Sequence, residues 1–226
     1  MINVARGPRE FWDPFCGGLS VSVALGGRGP ITDANPALIA LYQAVAAGWD
    51  PPEYVSESEY QAARALPDED PRKAFCGFGC SFGGKWFAGY ARQRLVDGKP
   101  YAYAASARNA LLRDVPALIA RGCRFLCVDF LAIEPRPTSS VLYLDPPYLG
   151  TTGYGALGRF DHDRFYARVA AWSRYTDVFV SEYAMPWGRV VWSHEVNTSL
   201  KGGTSGKSVE RLYHFGPDRV LDALML

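Results

Sequence analysis

The sequence predicts an α/β fold built on a largely parallel sheet, and three observations carry the prediction. Short apolar strands alternate with helix-patterned stretches in both halves of the chain. Acidic residues end those strands, at Asp13, Asp33 and Asp145, where open α/β sheets gather their ligands. The C-terminal region instead reads as two strands around a glycine-rich turn, an antiparallel hairpin that makes the sheet mixed.

The elements follow in order. Phe11-Trp12 leads into Asp13-Pro14-Phe15-Cys16-Gly17-Gly18, a strand running into a glycine turn. The apolar stretch Leu19–Leu25 follows as a helix, then Ile31-Thr32 as a strand ending at Asp33. Leu38, Leu41 and Val45 give helical spacing over Pro36–Val45, with Asn35 or Asp33 available as its cap. A longer helix is expected over Ala102–Ile119 and strands over Arg124–Phe130 and Ser140–Leu144. Pro146-Pro147 lacks backbone donors, so the second of these strands must stop there. Phe165–Trp172 reads as a helix and Val178–Ser181 as a buried strand. Val190–Val196 and Val209–Phe215 form the hairpin, with Lys201–Lys207 as its flexible tip.

Composition bounds the function. The chain has 226 residues, with 48% apolar and 21% charged, which excludes a disordered protein and leaves room for an inserted piece. Twenty-four basic residues face 23 acidic ones, so total charge names no partner. Its distribution is uneven. Residues 50–71 hold seven acids against Arg64, whereas residues 72–124 hold ten Lys and Arg against Asp97 and Asp114. Glycines, aromatics and cations run together over Phe75–Tyr90, inside the basic stretch. Arg6, Arg9, Glu10 and Asp13 leave no secretory apolar run, and no stretch is long enough to span a membrane. Five sparse cysteines suit a reducing compartment, so a cytoplasmic protein is expected, in a bacterium or a phage-infected host.

Asp145-Pro146-Pro147-Tyr148 is the sharpest chemical signal. A carboxylate, a stiffened backbone carbonyl and a flat ring suit one task, holding a planar exocyclic amine. The same tetrapeptide also occurs as a plain proline turn. The glycines after Asp13 allow close backbone approach to a ligand, but no Gly-Lys-Ser/Thr follows, which excludes a phosphate-cradling loop. Asp33 stands where nucleotide-binding folds place an acid for ribose hydroxyls. Cys76/Cys80 and Cys123/Cys127 are two Cys-x3-Cys pairs; structural zinc sites prefer Cys-x2-Cys, though x4 also occurs, so buried thiols without a metal are the expectation. His162 lies just after the Asp145 motif and is a candidate to line the same cleft.

In this order the motifs resemble the Dam-like DNA adenine-N6 methyltransferases (D12 class, phage-type). They are Asp13–Gly18, Asp33-x-Asn35 with Leu38-Ile39 and Tyr42, Val128-Asp129-Phe130, Asp145–Tyr148 and Val178–Tyr183. The resemblance implies a Rossmann-like class I methyltransferase fold. Residues 1–49 and 125–226 would then form the S-adenosylmethionine-binding catalytic domain, and 50–124 a mainly helical DNA-recognition insert. It implies cofactor contacts from Asp13, Pro14, Phe15, Cys16, Gly17, Gly18, Asp33, Ala34, Asp129, Phe130 and Asp145. Asp145, Pro146, Pro147 and Tyr148 would hold an adenine flipped out of double-stranded DNA, with Tyr148 stacked on it. Lys85, Trp86, Tyr90 and Arg92 would contact DNA, with Lys201 and Lys207 at the hairpin tip. Phe82, Trp86 or Tyr90 would fill the gap left by the base.

Family members usually carry about thirty residues before the glycine turn, whereas here Met1–Glu10 precede Phe11 and Arg6-Gly7 stands as a remnant. A partner or another segment is therefore expected to complete the cofactor site, on a monomer or weak dimer. Two alternatives stay open: transfer to cytosine N4 or an RNA base through the same motif, and an inactive fold member that binds DNA.

Overall fold

The computed structural model describes residues 9–26, 28–92, 94–96, 99–149, 160–199 and 205–217. Nine strands and six α-helices are found among them. The first half runs β1 (Glu10–Trp12), α1 (Ser20–Leu25), β2 (Pro30–Asp33), α2 (Pro36–Ala46), α3 (Glu57–Ala63) and α4 (Pro71–Ala74). Then come β3 (Arg94–Val96), β4 (Lys99–Tyr101), α5 (Tyr103–Ala120) and β5 (Arg124–Cys127). The second half runs β6 (Ser140–Leu144), α6 (His162–Trp172), β7 (Asp177–Glu182), β8 (Arg189–Ser199) and β9 (Ser205–Phe215).

β1 and β6 pair in parallel, Phe11 opposite Val141, and β6 pairs in parallel with β7, Leu144 opposite Val180. β9 lies antiparallel between β7 and β8. On the other side of β1, Thr32 N donates to Asp13 O at 2.8 Å and Asp13 N donates to Pro30 O at 3.3 Å, which brings β2 alongside in parallel. β2 in turn pairs with β5. The strands therefore lie in the order β5-β2-β1-β6-β7-β9-β8. The chain starts at the centre, winds outward to β5, returns to β6 and winds the other way. This is a doubly wound, mixed sheet of Rossmann-like order, with the expected reversed hairpin strand in place.

Local chemistry explains the element boundaries. Asn35 caps α2, its side-chain oxygen accepting from Ala37 N at 3.1 Å and Leu38 N at 3.3 Å, with Pro36 in the first turn. Ser56 and Glu59 form a reciprocal capping box on α3. Asp161 caps α6 through Arg164 N at 3.0 Å. The segment Phe75–Gly79 makes a π-helical turn, and a Cβ on Gly77 would sit 2.7 Å from the Trp86 ring. Only glycine lets that indole close on the turn.

Two apolar clusters hold the layers together. Leu142, Leu144, Val178, Val180, Tyr213 and Phe215 of the sheet meet Phe165, Val169 and Trp172 of α6. The other cluster joins Leu19, Ile31 and the buried face of α2 to Tyr60, Phe75, Val115 and Phe125. Residues 55–120 thus share one core with the first βαβ unit. Among the described residues no helix is long and apolar enough to cross a membrane.

Three expectations are corrected. The strand expected over Arg124–Phe130 ends at Cys127, because the Asp129 side chain accepts from Leu131 N at 2.8 Å and turns the chain into a 3-10 helix. The hairpin is longer than its apolar alternation: Asn197, Thr198 and Ser199 continue the ladder with Lys207, Gly206 and Ser205. Lys207 therefore belongs to β9 and not to the tip, because backbone hydrogen bonds extend the pairing past the apolar pattern. Residues 200–204 lie outside the described residues. The insert also carries the β3–β4 hairpin, too short at three residues a strand to leave an alternation signal.

Leu142 is fully buried between the sheet and α6. Leu142→Ala is expected to destabilise the protein by about 2–5 kcal/mol. The urea midpoint measures it, and an unshifted midpoint would contradict this core.

Candidate active site

The winding reverses between β1 and β6, so a crevice opens at their carboxyl ends. Asp13 and Asp145 stand at those ends. Asp13 is buried, and Ser22 Oγ donates to its Oδ2 at 2.5 Å. Burial pushes its carboxyl up to about 7; the Ser22 hydroxyl pulls it down, and the charges of Asp145 and Asp33 add to the rise.

The glycine turn rises from β1 against the end of β2. Gly17 has φ +41°, in the left-handed region, and its N–H donates to Asp33 Oδ2 at 3.3 Å. The Gly17 carbonyl accepts from the Tyr42 hydroxyl of α2. Asp33 Oδ1 takes Asn35 N at 2.9 Å. Asp33 therefore ties the turn to the head of α2 and leaves the capping to Asn35. Burial raises its carboxyl as well. Pro14 and Cys16 are buried, Phe15 and Ala34 half-buried, and Gly18 is exposed. Burial pushes the Cys16 thiol up.

Beyond the turn lies an aromatic wall. The Phe15 ring centre is 5.4 Å from Phe130, 5.8 Å from Phe160 and 5.9 Å from Phe165. Asp129 is exposed, just before the buried Phe130. Phe160 and Phe165 join this wall only through the return of α6. In the sequence they read as ordinary helix and loop residues.

The Asp145 motif is held from several sides. Burial pushes the Asp145 carboxyl up to about 6, the Tyr148 hydroxyl pulls it down, and the Glu210 charge adds to the rise. Among the described residues no donor reaches the Pro146 carbonyl. His162 Nε2 lies 3.0 Å from the Pro147 carbonyl. Glu182, buried at the end of β7, accepts from Leu149 N at 3.1 Å and Tyr183 N at 2.8 Å, which fixes the loop leaving the motif. The Tyr148 ring stands edge-to-face on Tyr183, with centres 4.8 Å apart. Its hydroxyl lies 2.7 Å from Ser181 Oγ and donates to Glu210 Oε1 at 2.8 Å. Burial and the Asp145 charge push the Tyr148 phenol well up. Glu182 and Glu210 were not among the expected site residues. Glu210 carries no sequence signal at all, since only the β7–β9 pairing brings it to the crevice.

The expected DNA-contacting residues divide. Lys85 is exposed. Trp86 packs between Phe78 and Phe87, each ring centre at 4.8 Å. Tyr90 packs on Tyr60 at 5.6 Å and donates to Val55 O at 2.6 Å. Arg92 forks onto Glu57 at 2.9 and 3.0 Å on the surface. Phe82 is 68% exposed, at the apex of the same loop. Lys207 pairs with Glu195 at 3.2 Å. Lys201, Arg6 and Gly7 lie outside the described residues.

Four of the five cysteines are buried; Cys127 is exposed, against the expectation of buried thiols, because β5 is the sheet edge. Among the described residues no group of three His, Cys, Asp or Glu converges as a metal site.

A glycine turn and clustered acids at the crossover of the sheet define a doubly wound α/β protein with a candidate ligand site at the strands' carboxyl ends. Residues 3–76 match the family model of the D12 class N6 adenine-specific DNA methyltransferases, so the chain is similar to that family over this stretch. The matched segment includes the glycine turn and Asp33 and ends before Asp145. Among solved structures, the chain is similar to "SMU.472, a putative methyltransferase complexed with SAH". The likeness is 12% identity and a TM-score of 0.35 over 94% of this chain. This chain spans about half of that one, 49% of its length. No curated relative matches the chain.

The raised Asp13 carboxyl makes a stability prediction. Below its ordinary value of 3.8 it is protonated in both the folded and unfolded states. From there to about 7 the folded form holds the proton more tightly, so this group's contribution to stability is lost as pH rises through that window. Asp13→Asn removes the titration. Its melting temperature is expected to gain on the wild type between pH 5 and pH 8, by roughly 4–8 °C. A difference that stays constant across those pH values contradicts the assignment.

Proposed function

We propose that the chain transfers the methyl group of S-adenosylmethionine to the N6 amine of an adenine extruded from double-stranded DNA. One observation supports this reading: Asp13 and Asp145 end the paired strands β1 and β6 close enough for the charge of Asp145 to act on Asp13, and among the described residues no donor reaches the Pro146 carbonyl beside it. In this reading residues 1–49 and 125–226 carry the chemistry, and residues 50–124 read the DNA.

The acids at the crevice fit the cofactor. Asp13, Asp33 and Asp145 are all pushed up by burial, and among the described residues no Lys or Arg pairs with any of them. Such a site lacks a positive charge that a sulfonium brings. S-adenosylmethionine supplies the electrophilic methyl. Asp13 to Gly18 would line the methionine side, Asp33 and Ala34 the ribose, and Phe130 with Asp129 the adenine ring.

The remaining work belongs to the motif. An exocyclic amine is a poor nucleophile because its lone pair is delocalised into the ring. Asp145 and the Pro146 carbonyl would accept hydrogen bonds from its two N–H groups, draw the nitrogen towards a tetrahedral geometry and stabilise the positive charge that develops on it until one of the two protons is released. Tyr148 supplies the stacking face that offsets extrusion of the base. On the insert, Lys85 would meet phosphate. Phe82 is the exposed member of the three candidate wedges and would fill the vacated stack, since Trp86 and Tyr90 are committed to packing.

The test is methyl transfer from labelled S-adenosylmethionine to unmethylated duplex DNA, with the nucleosides of the digest separated by mass. N6-methyladenine is expected, and Asp145→Ala is expected to cut its formation by at least about 100-fold. N4-methylcytosine would move the reaction to the other amine; DNA binding without cofactor binding would make this an inactive fold member. Cofactor affinity is expected to rise with pH between 5.5 and 8, because deprotonated Asp13 and Asp145 favour a cation. Calorimetry in buffers of different ionisation heat should show proton release on binding near pH 6.5. Affinity that does not change with pH would exclude both acids from the site.

A further inference from the structure

We infer that Glu210 is a positioning residue for the proposed methyl transfer, acting on the base through the Tyr148 hydroxyl. The inference rests on the proposed function and adds a residue to it. The β7–β9 register puts Arg211 opposite Glu182, so Glu210 sits one residue past the end of β7, level with the mouth of the crevice. There its Oε1 takes two hydroxyls at once, Tyr148 at 2.8 Å and Ser181 at 2.9 Å. The two hydroxyls are themselves 2.7 Å apart. Three polar groups from three elements close one triangle around the phenol oxygen.

The triangle does what the motif cannot do for itself. Pro146-Pro147 stiffens the backbone but does not restrain rotation of the Tyr148 side chain about its own bonds. The edge-on contact with Tyr183 steadies one side of the ring. Fixing the hydroxyl at the far end removes the remaining rotation, and a charged acceptor makes the fixing bonds about twice as strong as neutral ones. Glu210 also competes with Asp145 for the phenol proton, which spares Asp145 lone pairs for the amine. A stacking platform held at both ends places the nitrogen; one held at a single end lets it drift, and a displacement near 1 Å costs on the order of 100-fold in rate.

A double-mutant cycle on kcat decides the matter, because a residue that acts through a hydroxyl has nothing to act through once the hydroxyl is gone. Glu210→Ala is expected to lower kcat by about 10- to 100-fold while leaving the dissociation constant of the cofactor unchanged. In the Tyr148→Phe background the same change should cost about twofold or less. Glu210→Gln keeps an acceptor and should return kcat to within about fivefold of wild type. If Glu210→Ala does not fold, Ser181→Ala takes its place, since it removes one corner of the triangle and leaves β9 intact. It should show a smaller loss of kcat with unchanged cofactor binding. Equal losses with and without the Tyr148→Phe change, or a loss confined to cofactor affinity, overturn the assignment. A wild-type chain that methylates no base overturns the proposed reaction itself, an outcome distinct from an active chain whose Glu210 effects are additive.

Discussion

The parallel pairing of β1 with β6 is the constraint on which the molecule turns. Each strand is followed by a crossover to a different side of the sheet, so their carboxyl ends form the place where the flanking connections diverge. Asp13 and Asp145 are the residues that end these strands. Burial alone makes an ionised carboxylate costly at either position, and the Asp145 charge tightens the hold of Asp13 on its proton. The fold therefore concentrates negative charge in a place its own cations do not reach among the described residues.

That concentration sets the arrangement of the surrounding groups. Asp33 commits its carboxylate to two backbone N–H groups, Gly17 and Asn35, and so pins the glycine turn to the next helix. Tyr42 holds the same turn from the carbonyl side. Glu182 plays the matching part across the crevice, clamping Leu149 and Tyr183. Two acids thus serve as splints for two loops. Preorganisation of this kind lowers stability, and the two apolar clusters on the faces of the sheet offset the loss.

The insert is not an independent appendage. Its Phe75, Tyr60 and Val115 lie in the same cluster as Leu38, Leu41 and Ile31. The orientation of its exposed loop around Phe82 and Lys85 is therefore set by the core of the first βαβ unit. A DNA duplex gripped there would be held in a fixed relation to the crevice, as reaction on one chosen base requires.

Most strands and helices, the stop at Pro146-Pro147, the mixed sheet and the three acids at strand ends were legible in the chain alone. All of these rest on local rules: periodicity, missing backbone donors, capping chemistry. Phe82, Trp86 and Tyr90 stood as alternatives that no local rule could separate, since a ring in the core and a ring on the surface leave the same letter in the chain. Folding separated them, by packing Trp86 over Gly77 and tying Tyr90 to Val55. Folding also brought Glu210 to Tyr148, a sequence separation of 62 residues, because strand register and not composition decides which side chains meet across a sheet. The extra length of the hairpin, with Lys207 inside it, has the same origin: backbone pairing continues where side-chain alternation has faded.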